Sequence, residues 1–163
     1  MLTVVAGLML AQAALLPESL DAPTPPGFVV GHEQSNGAQS IKESVPKGES
    51  VQDWSRMVTV QHFSGLAAVG PRVILDRLGQ LMTQACPGAT LSAVGDAPNG
   101  NHAGGSLRVD CPSNSATVKP ETMFARAIAG DTTLYLVQYA FRSVPDLAAV
   151  RDAENYLSAV RIR

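Results

Sequence analysis

The feature that most constrains the fold of this chain is a run of strict alternation that begins just after its single tryptophan. In residues 55–63, one set of alternate positions holds Arg56, Val58, Val60 and His62, and the other holds Met57, Thr59, Gln61 and Phe63. Alternation with β-branched residues is typical of a half-buried strand. Trp54, at the entrance to this strand, is predicted to pack over one end of a core. An exposed recognition role for Trp54 stays open as the alternative.

Several other segments carry strand patterns that are separated by turn signals. Short strands at 28–30 and 40–45 flank Asn36-Gly37, a pair that favours a type I′ hairpin turn. Further strands are predicted at 90–94 and 107–111, joined by the polar, glycine-rich loop 96–105. The sequence therefore predicts a sheet built largely from hairpins.

Residues 122–142 are predicted to form a long hairpin that turns at Gly130-Asp131. Its second arm is apolar at both sets of alternate positions, which indicates a central strand covered on both faces. The first arm is rich in helix formers, so a helix there remains an alternative.

Two amphipathic helices complete the pattern. Apolar residues recur at helical spacing from Pro71 to Ala85, and Pro87-Gly88 ends that helix. A second helix is predicted to begin at Ser143, with the serine as its cap, and to end near Val160, with Arg161 and Arg163 close to its carboxyl end. Leu147 is expected on its apolar face. The predicted fold class is α+β, an antiparallel sheet with helices packed on it.

The amino terminus has the composition of an export signal. Residues 2–10 are apolar and uncharged, and Ala11-Gln12-Ala13 has the small-x-small form of a signal-peptidase site. We predict a signal peptide at 1–13, a proline-rich arm or linker at 14–27, and a single domain at 28–163. A buried amino-terminal element is the alternative for the first segment. The apolar run is too short for a comfortable membrane span, so none is expected in the mature protein.

The cysteine count fits an oxidising compartment. The chain has two cysteines, Cys86 and Cys111, each followed by proline. An even count in an exported protein indicates a disulfide bridge, whereas the spacing is not that of a C-x-x-C redox pair. No further ligands at suitable spacing suggest a zinc site around them, and no cofactor is predicted.

Charge excludes one class of partner. The formal net charge is −2, and lysine and arginine do not cluster. A nucleic-acid-binding domain needs a basic patch or stripe. We therefore expect no nucleic-acid partner, and the partner predicted is a protein or a small ligand.

Three segments together resemble the PsbP-like family. They are VPKGESVQDWSRMVTVQ (residues 45–61), LYLVQYAFRS (134–143) and NYLSAVRIR (155–163). The phrase G-E-x-x-x-D-W-x-x-M-x-T-V-Q is also similar to one found in uncharacterised exported bacterial proteins. The resemblance implies an α/β/α sandwich around an antiparallel sheet and a non-enzymatic accessory role. A fold does not by itself assign a function.

Candidate functional residues follow from this picture without defining a reaction. Trp54, Arg56 and His62 are the predicted binding residues. No residue is predicted to be catalytic, since no Gly-x-Ser-x-Gly elbow occurs. The function predicted is that of an exported, periplasmic or secreted accessory domain. The alternative is a small exported hydrolase or metal-dependent enzyme with a site near His62 and Arg56.

Two further sets of residues could serve a site. His32 and His62, with Glu33 or Glu43, could ligate a metal, although solvated strand histidines are the favoured interpretation. The strand residues Arg56, Arg126 and Arg142 could line an anion pocket, although arginine stems more often lie over the edge of a sheet.

Overall fold

The computed structural model describes residues 17–163. The predicted signal peptide at 1–13 and the first residues of the predicted arm lie outside this range.

The described chain contains ten strands, two α-helices and one short 3₁₀ turn. The strands are β1 (Leu20–Asp21), β2 (Phe28–Ser35), β3 (Gln39–Pro46), β4 (Arg56–Ser64), β5 (Thr90–Leu91), β6 (Gly95–Asp96), β7 (Gly104–Cys111), β8 (Glu121–Ala129), β9 (Thr133–Phe141) and β10 (Arg161–Ile162). The helices are α1 (Pro71–Ala85) and α2 (Leu147–Ala159), and the 3₁₀ turn is Ala67–Val69.

Eight of the strands form one antiparallel sheet. Its order is β2-β3-β4-β9-β8-β7-β5, and β6 also pairs with β7. The predicted alternative of a helix at the start of the long hairpin is wrong, because that arm is β8 and lies at the centre of the sheet. The two remaining strands, β1 and β10, pair antiparallel with each other.

Each face of the sheet carries one helix. Leu75 of α1 packs with Met57, Met123 and Leu136 on one face. Leu157 of α2 packs with Tyr139 on the other. The central strands β8 and β9 are buried along almost their whole length because both of their faces are covered. The predicted α+β class, with helices on an antiparallel sheet, is confirmed.

The start of α2 differs from the sequence prediction, whereas its end, at Ala159, agrees with it. Its cap is Asp146, whose Oδ1 accepts a hydrogen bond of 2.8 Å from the Ala149 amide, and not Ser143. Leu147 is 78% exposed, since it stands at the first turn, beyond the part of the helix that packs on the sheet. Arg161 lies in β10, and its Nε donates a 3.2 Å hydrogen bond to the carbonyl of Ala159, the last residue of α2, in agreement with its predicted position near the helix end. Arg163 instead pairs with Asp21.

The described part of the proline-rich arm packs against the domain. Leu20 pairs with Ile162 between β1 and β10, and Ala22 is buried in the core on the α2 face. The Tyr156 hydroxyl donates a 3.0 Å hydrogen bond to the carbonyl of Pro23. The arm therefore forms part of the layer that contains α2.

Cys86 and Cys111 form the predicted disulfide. The S–S distance is 2.02 Å and the Cα atoms are 5.9 Å apart, within the usual range. Both residues are almost fully buried. The bridge joins the carboxyl end of α1 to the end of β7.

One edge of the sheet is interrupted. The strand predicted at 90–94 is shorter, because pairing with β7 stops after Leu91 and resumes only at Gly95. Between them, the Ser92 amide donates to the Arg108 carbonyl and the Ser92 Oγ accepts from the Arg108 amide, each at 2.9 Å. The segment 92–94 thus leaves the regular ladder beside β7.

Within residues 17–163, no helix is both long enough and apolar enough to cross a membrane.

Candidate functional site

The tryptophan that begins the β4 region is a core residue. Trp54 is 9% exposed and packs in the cluster on the α1 face. The guanidinium of Arg142 lies 4.2 Å from the centroid of its ring, a cation–π contact. Trp54 therefore has the packing position that the sequence favours, and its indole is not displayed on the surface.

The other two predicted site residues, Arg56 and His62, do not converge. They lie on one face of β4 but at opposite ends, and six residues of strand span about 20 Å. The Arg56 guanidinium lies 5.2 Å from the centroid of the Phe28 ring. The His62 ring meets the Tyr135 ring edge-on, with centroids 5.0 Å apart. One compact active site cannot contain both side chains.

The environment of His62 favours its neutral form. Desolvation by burial, and then the charge of Lys42, hold the pKa of its imidazole below the usual value.

His32 pairs with Glu43 in β3, whereas His62 pairs with Ser40, so the two histidines lie at different levels with β3 between them. Neither histidine belongs to a group of three metal-ligating side chains in the part of the chain that the structure describes.

The structure brings together a different set of residues, in a cleft on the α2 face. Helix α2 covers β8 and β9, and the face of β7 beyond them is only partly covered. The cleft there has a volume of about 490 Å³, which is within the range of small-molecule sites. It is lined by Ser92, Ala97, Pro98, Ser106, Leu107, Arg108, Phe124, Ala125, Arg126, Glu154, Leu157 and Ser158.

The floor of this cleft is apolar and carries a stacked guanidinium. Phe124 and Leu157 are buried core residues that border the cleft. The Arg108 guanidinium lies 5.0 Å from the centroid of the Phe124 ring. Its Nε and Nη2 donate to the two carboxylate oxygens of Asp110 at 2.7 and 2.9 Å. These bonds hold the pKa of Asp110 below its usual range, so the pair stays charged and fixes Arg108 against the ring.

A buried cation forms one end of the cleft. Arg126 is 7% exposed, and burial lowers the pKa of its guanidinium. Its Nη1 donates to the Leu157 and Val160 carbonyls at 2.7 and 3.0 Å, and its Nη2 donates to the Pro98 carbonyl at 3.0 Å.

Arg126 thus places a buried cation at the carboxyl end of α2, in addition to the predicted Arg161. The partial negative charge of a helix carboxyl terminus stabilises a cation. Among residues 17–163, no carboxylate forms an ion pair with Arg126. Its charge is therefore balanced by peptide dipoles alone.

Sequence reasoning missed most of this site. The sequence indicates Arg126 only as one of three strand arginines that could line an anion pocket, and it does not distinguish Phe124, Arg108 or Glu154. One signal was available, since Ser106, Arg108 and Asp110 form a polar face on an otherwise buried strand. The sequence did not indicate which helix would leave that face uncovered.

Comparison with known proteins shows a similarity of fold to one solved structure. No family model matches the chain, and no curated protein matches it by sequence. The chain is similar to the crystal structure of LpqN, a protein involved in cell envelope biogenesis of Mycobacterium tuberculosis. The TM-score is 0.52 at 14% identity, over 90% of this chain and 84% of LpqN. Membership of the PsbP-like family stays a prediction.

Proposed function

We propose that this protein is an exported, non-catalytic accessory domain that binds a small apolar ligand carrying one anionic group. The observation that carries the proposal is the cleft beside β7, with its apolar floor, its stacked Arg108 and the buried charge of Arg126. Apolar pockets with a few fixed polar groups are the usual form of small-molecule sites.

Three observations support export. The first is the signal peptide that the sequence predicts at 1–13. The second is the bridge between Cys86 and Cys111, because disulfides persist in oxidising compartments. The similar protein LpqN is described as acting in cell envelope biogenesis. An extracytoplasmic location, in the periplasm or outside the cell, accounts for all three.

The hydrogen bonding of the cleft favours recognition over chemistry. Nucleophilic catalysis needs a hydroxyl or thiol beside a base. Ser92 Oγ instead accepts from the Arg108 amide, and Ser158 Oγ donates to the Asn155 carbonyl at 2.9 Å. In the described part of the chain, no serine of the cleft is hydrogen-bonded to a histidine or a carboxylate. The lining groups are thus engaged in holding the shape of the site.

The charges of the cleft indicate the polarity of the ligand. Arg108 is neutralised by Asp110, whereas Arg126 has no carboxylate partner among the described residues. The carboxylate of Glu154 also lines the cleft, but this residue is exposed to solvent, which screens its charge. A buried charge without a counter-ion is costly, so an anion bound nearby gains from the field of Arg126. The ring of Phe124 and the side chain of Leu157 provide contact for the apolar part of the ligand.

The test is a calorimetric titration of the mature chain with 1-anilinonaphthalene-8-sulfonate, an aromatic sulfonate that serves as the probe. Ser158→Trp, at an exposed position of α2 that lines the cleft, should weaken probe binding at least tenfold by filling the site. Asn155→Trp is the matched control, because it is exposed on the same helix but outside the cleft. Equal affinity in both variants would refute the cleft as the binding site.

Export has its own measurement. Intact mass of protein from the exported fraction should show a chain that begins near Ala14 and is two hydrogens lighter than the reduced form. A full-length mass with both thiols free would overturn the export part of the proposal. The role of the cleft is decided separately, by the calorimetric titration.

A further inference from the structure

A second group of ligating side chains lies away from the cleft, where the amino-terminal arm meets the turn between β8 and β9. Glu18, His102 and Asp131 each offer one ligand atom, and these atoms all lie within 4.8 Å of one another. We propose that they bind one divalent transition-metal ion, and that Zn²⁺ is the ion that suits them best.

The donor set matches the chemistry of such an ion. One imidazole nitrogen and two carboxylate oxygens are typical ligands of zinc, which takes three protein ligands and a water at open sites. Ligands bonded at about 2.0–2.2 Å lie roughly 3–4 Å apart. The three atoms are therefore close to this separation before any ion contracts the group. Calcium and magnesium prefer oxygen ligands alone, and the imidazole disfavours them.

Each ligand stands on a segment that is held independently by backbone hydrogen bonds. Glu18 precedes Ser19, which exchanges bonds of 3.1 and 2.9 Å with Arg163. His102 exchanges two bonds of 3.0 Å with Asn99. Asp131 lies in the turn closed by the Gly130 amide and the Thr133 carbonyl at 2.9 Å. Backbone hydrogen bonds on three segments that are remote in sequence thus fix the main chain at each ligand.

The charge of the group favours a cation. Two carboxylates at this distance repel each other unless a positive charge lies between them. The ion pairs formed within residues 17–163 are Arg108–Asp110, Lys119–Asp53 and Arg163–Asp21, and none includes Glu18 or Asp131. No lysine or arginine of the described chain therefore supplies the positive charge, and a metal ion would do so.

The carboxylate of Glu18 is also oriented by neighbouring donors. The Tyr135 hydroxyl donates to Glu18 Oε1 at 2.9 Å, and the Asp131 amide donates to Oε2. Outer hydrogen bonds of this kind fix the ligand geometry at metal sites.

The ion would connect the arm to the body of the domain. Glu18 lies a few residues beyond the predicted cleavage site, whereas His102 and Asp131 belong to two hairpin connections of the sheet. Metal binding should therefore slow hydrogen exchange at the amides of 18–21, in addition to raising the thermal stability.

The test is a calorimetric titration of the mature, disulfide-bonded protein with Zn²⁺, and with Co²⁺ as a spectroscopic substitute. We expect one ion per chain, and a loss of affinity of at least tenfold in His102→Gln and in Asp131→Asn. His32→Gln, which removes an exposed histidine on β2, is the matched control and should bind as wild type does. Circular dichroism confirms that each variant is folded.

A second variant tests the geometry without removing a ligand. A Cβ at Gly130 would collide with the Glu18 carboxylate, so Gly130→Ala should displace Glu18 and weaken Zn²⁺ binding. Absence of binding, binding that His102→Gln leaves unchanged, or equal losses in His102→Gln and His32→Gln would each overturn the proposal. The last two results would mean adventitious surface binding only.

Discussion

At the scale of single residues, Arg126 links the sheet to the end of α2. Its guanidinium reaches five backbone carbonyls, those of Leu157, Ser158, Val160, Ala97 and Pro98. These carbonyls belong to the last turn of α2, to the residue that follows it, and to the loop after β6. The Leu157 and Val160 carbonyls also accept from the Val160 amide and from Asn99 Nδ2, so Arg126 matters most for the carbonyls of Ser158, Ala97 and Pro98. The same side chain shapes one end of the cleft.

Arg126→Leu should therefore destabilise the protein. Leaving buried carbonyls without donors costs about 1–3 kcal/mol, and the free energy of unfolding should fall by that amount in a urea titration. Arg151→Leu on the exposed side of α2 is the control, with an expected change within about 0.5 kcal/mol. If Arg126→Leu changed the free energy of unfolding no more than the control does, water would have replaced the guanidinium without cost.

His62 should make the stability depend on pH. Burial holds its folded-state pKa below the unfolded value of about 6.5. Between these two values the unfolded chain binds more protons, so the free energy of unfolding falls as the pH drops below about 6.5. His62→Gln should flatten this dependence. Urea titrations of both proteins at pH 7.5 and pH 5.0 measure the difference, and parallel losses would contradict the assignment to His62.

At the scale of elements, the packing of α1 against the interrupted edge depends on a glycine. Gly79 is buried in the middle of α1, and a Cβ there would lie 2.5 Å from Leu91 Cδ2. Glycine inside a helix costs about 1 kcal/mol relative to alanine. The close approach of the helix to β5 explains why a residue of low helix propensity occupies this position.

Gly79→Ala should give almost no net change in stability, because the gain in helix propensity is offset by displacement of Leu91. In a Leu91→Ala background the same substitution should stabilise the protein by about 1 kcal/mol. A double-mutant cycle from urea unfolding separates the two contributions. Equal gains in both backgrounds would show that the two residues are not coupled.

At the scale of the whole molecule, the disulfide joins the helix on one face to the β7 side of the sheet. Both cysteines are buried. The bridge between them closes a loop that contains β5, β6 and the segment 92–94, whose Ser92 lines the cleft. Its main effect on stability is to restrict the unfolded chain.

Cys86→Ala combined with Cys111→Ala should lower the free energy of unfolding by about 2–4 kcal/mol. Unfolding of the wild type with and without a reductant gives the same comparison without a substitution. If the double variant were as stable as the oxidised wild type, the bridge would have no structural role. Binding of the sulfonate probe to the folded double variant would then report whether the bridge shapes the cleft.

The sequence by itself determined the local structure and one covalent link. The turn at Gly130-Asp131 and the apolar second arm predicted the hairpin of β8 and β9. Helical spacing predicted α1 at Pro71–Ala85, the bounds that the structure shows, and alternation predicted β4. Both signals depend on neighbours along the chain, which the sequence records directly. The cysteine count predicted the bridge on a separate ground, since a pair of cysteines leaves one possible pairing.

Only the tertiary structure decided the sites. The cleft exists because α2 stops short of β7 and because pairing lapses at 92–94, and the proposed metal ligands come from positions 18, 102 and 131. Arg126 joins Arg161 at the end of α2 because strand β8, distant in sequence, passes beneath that helix. Proximity of this kind is set by how elements pack and by register between strands, and local periodicity carries no record of either.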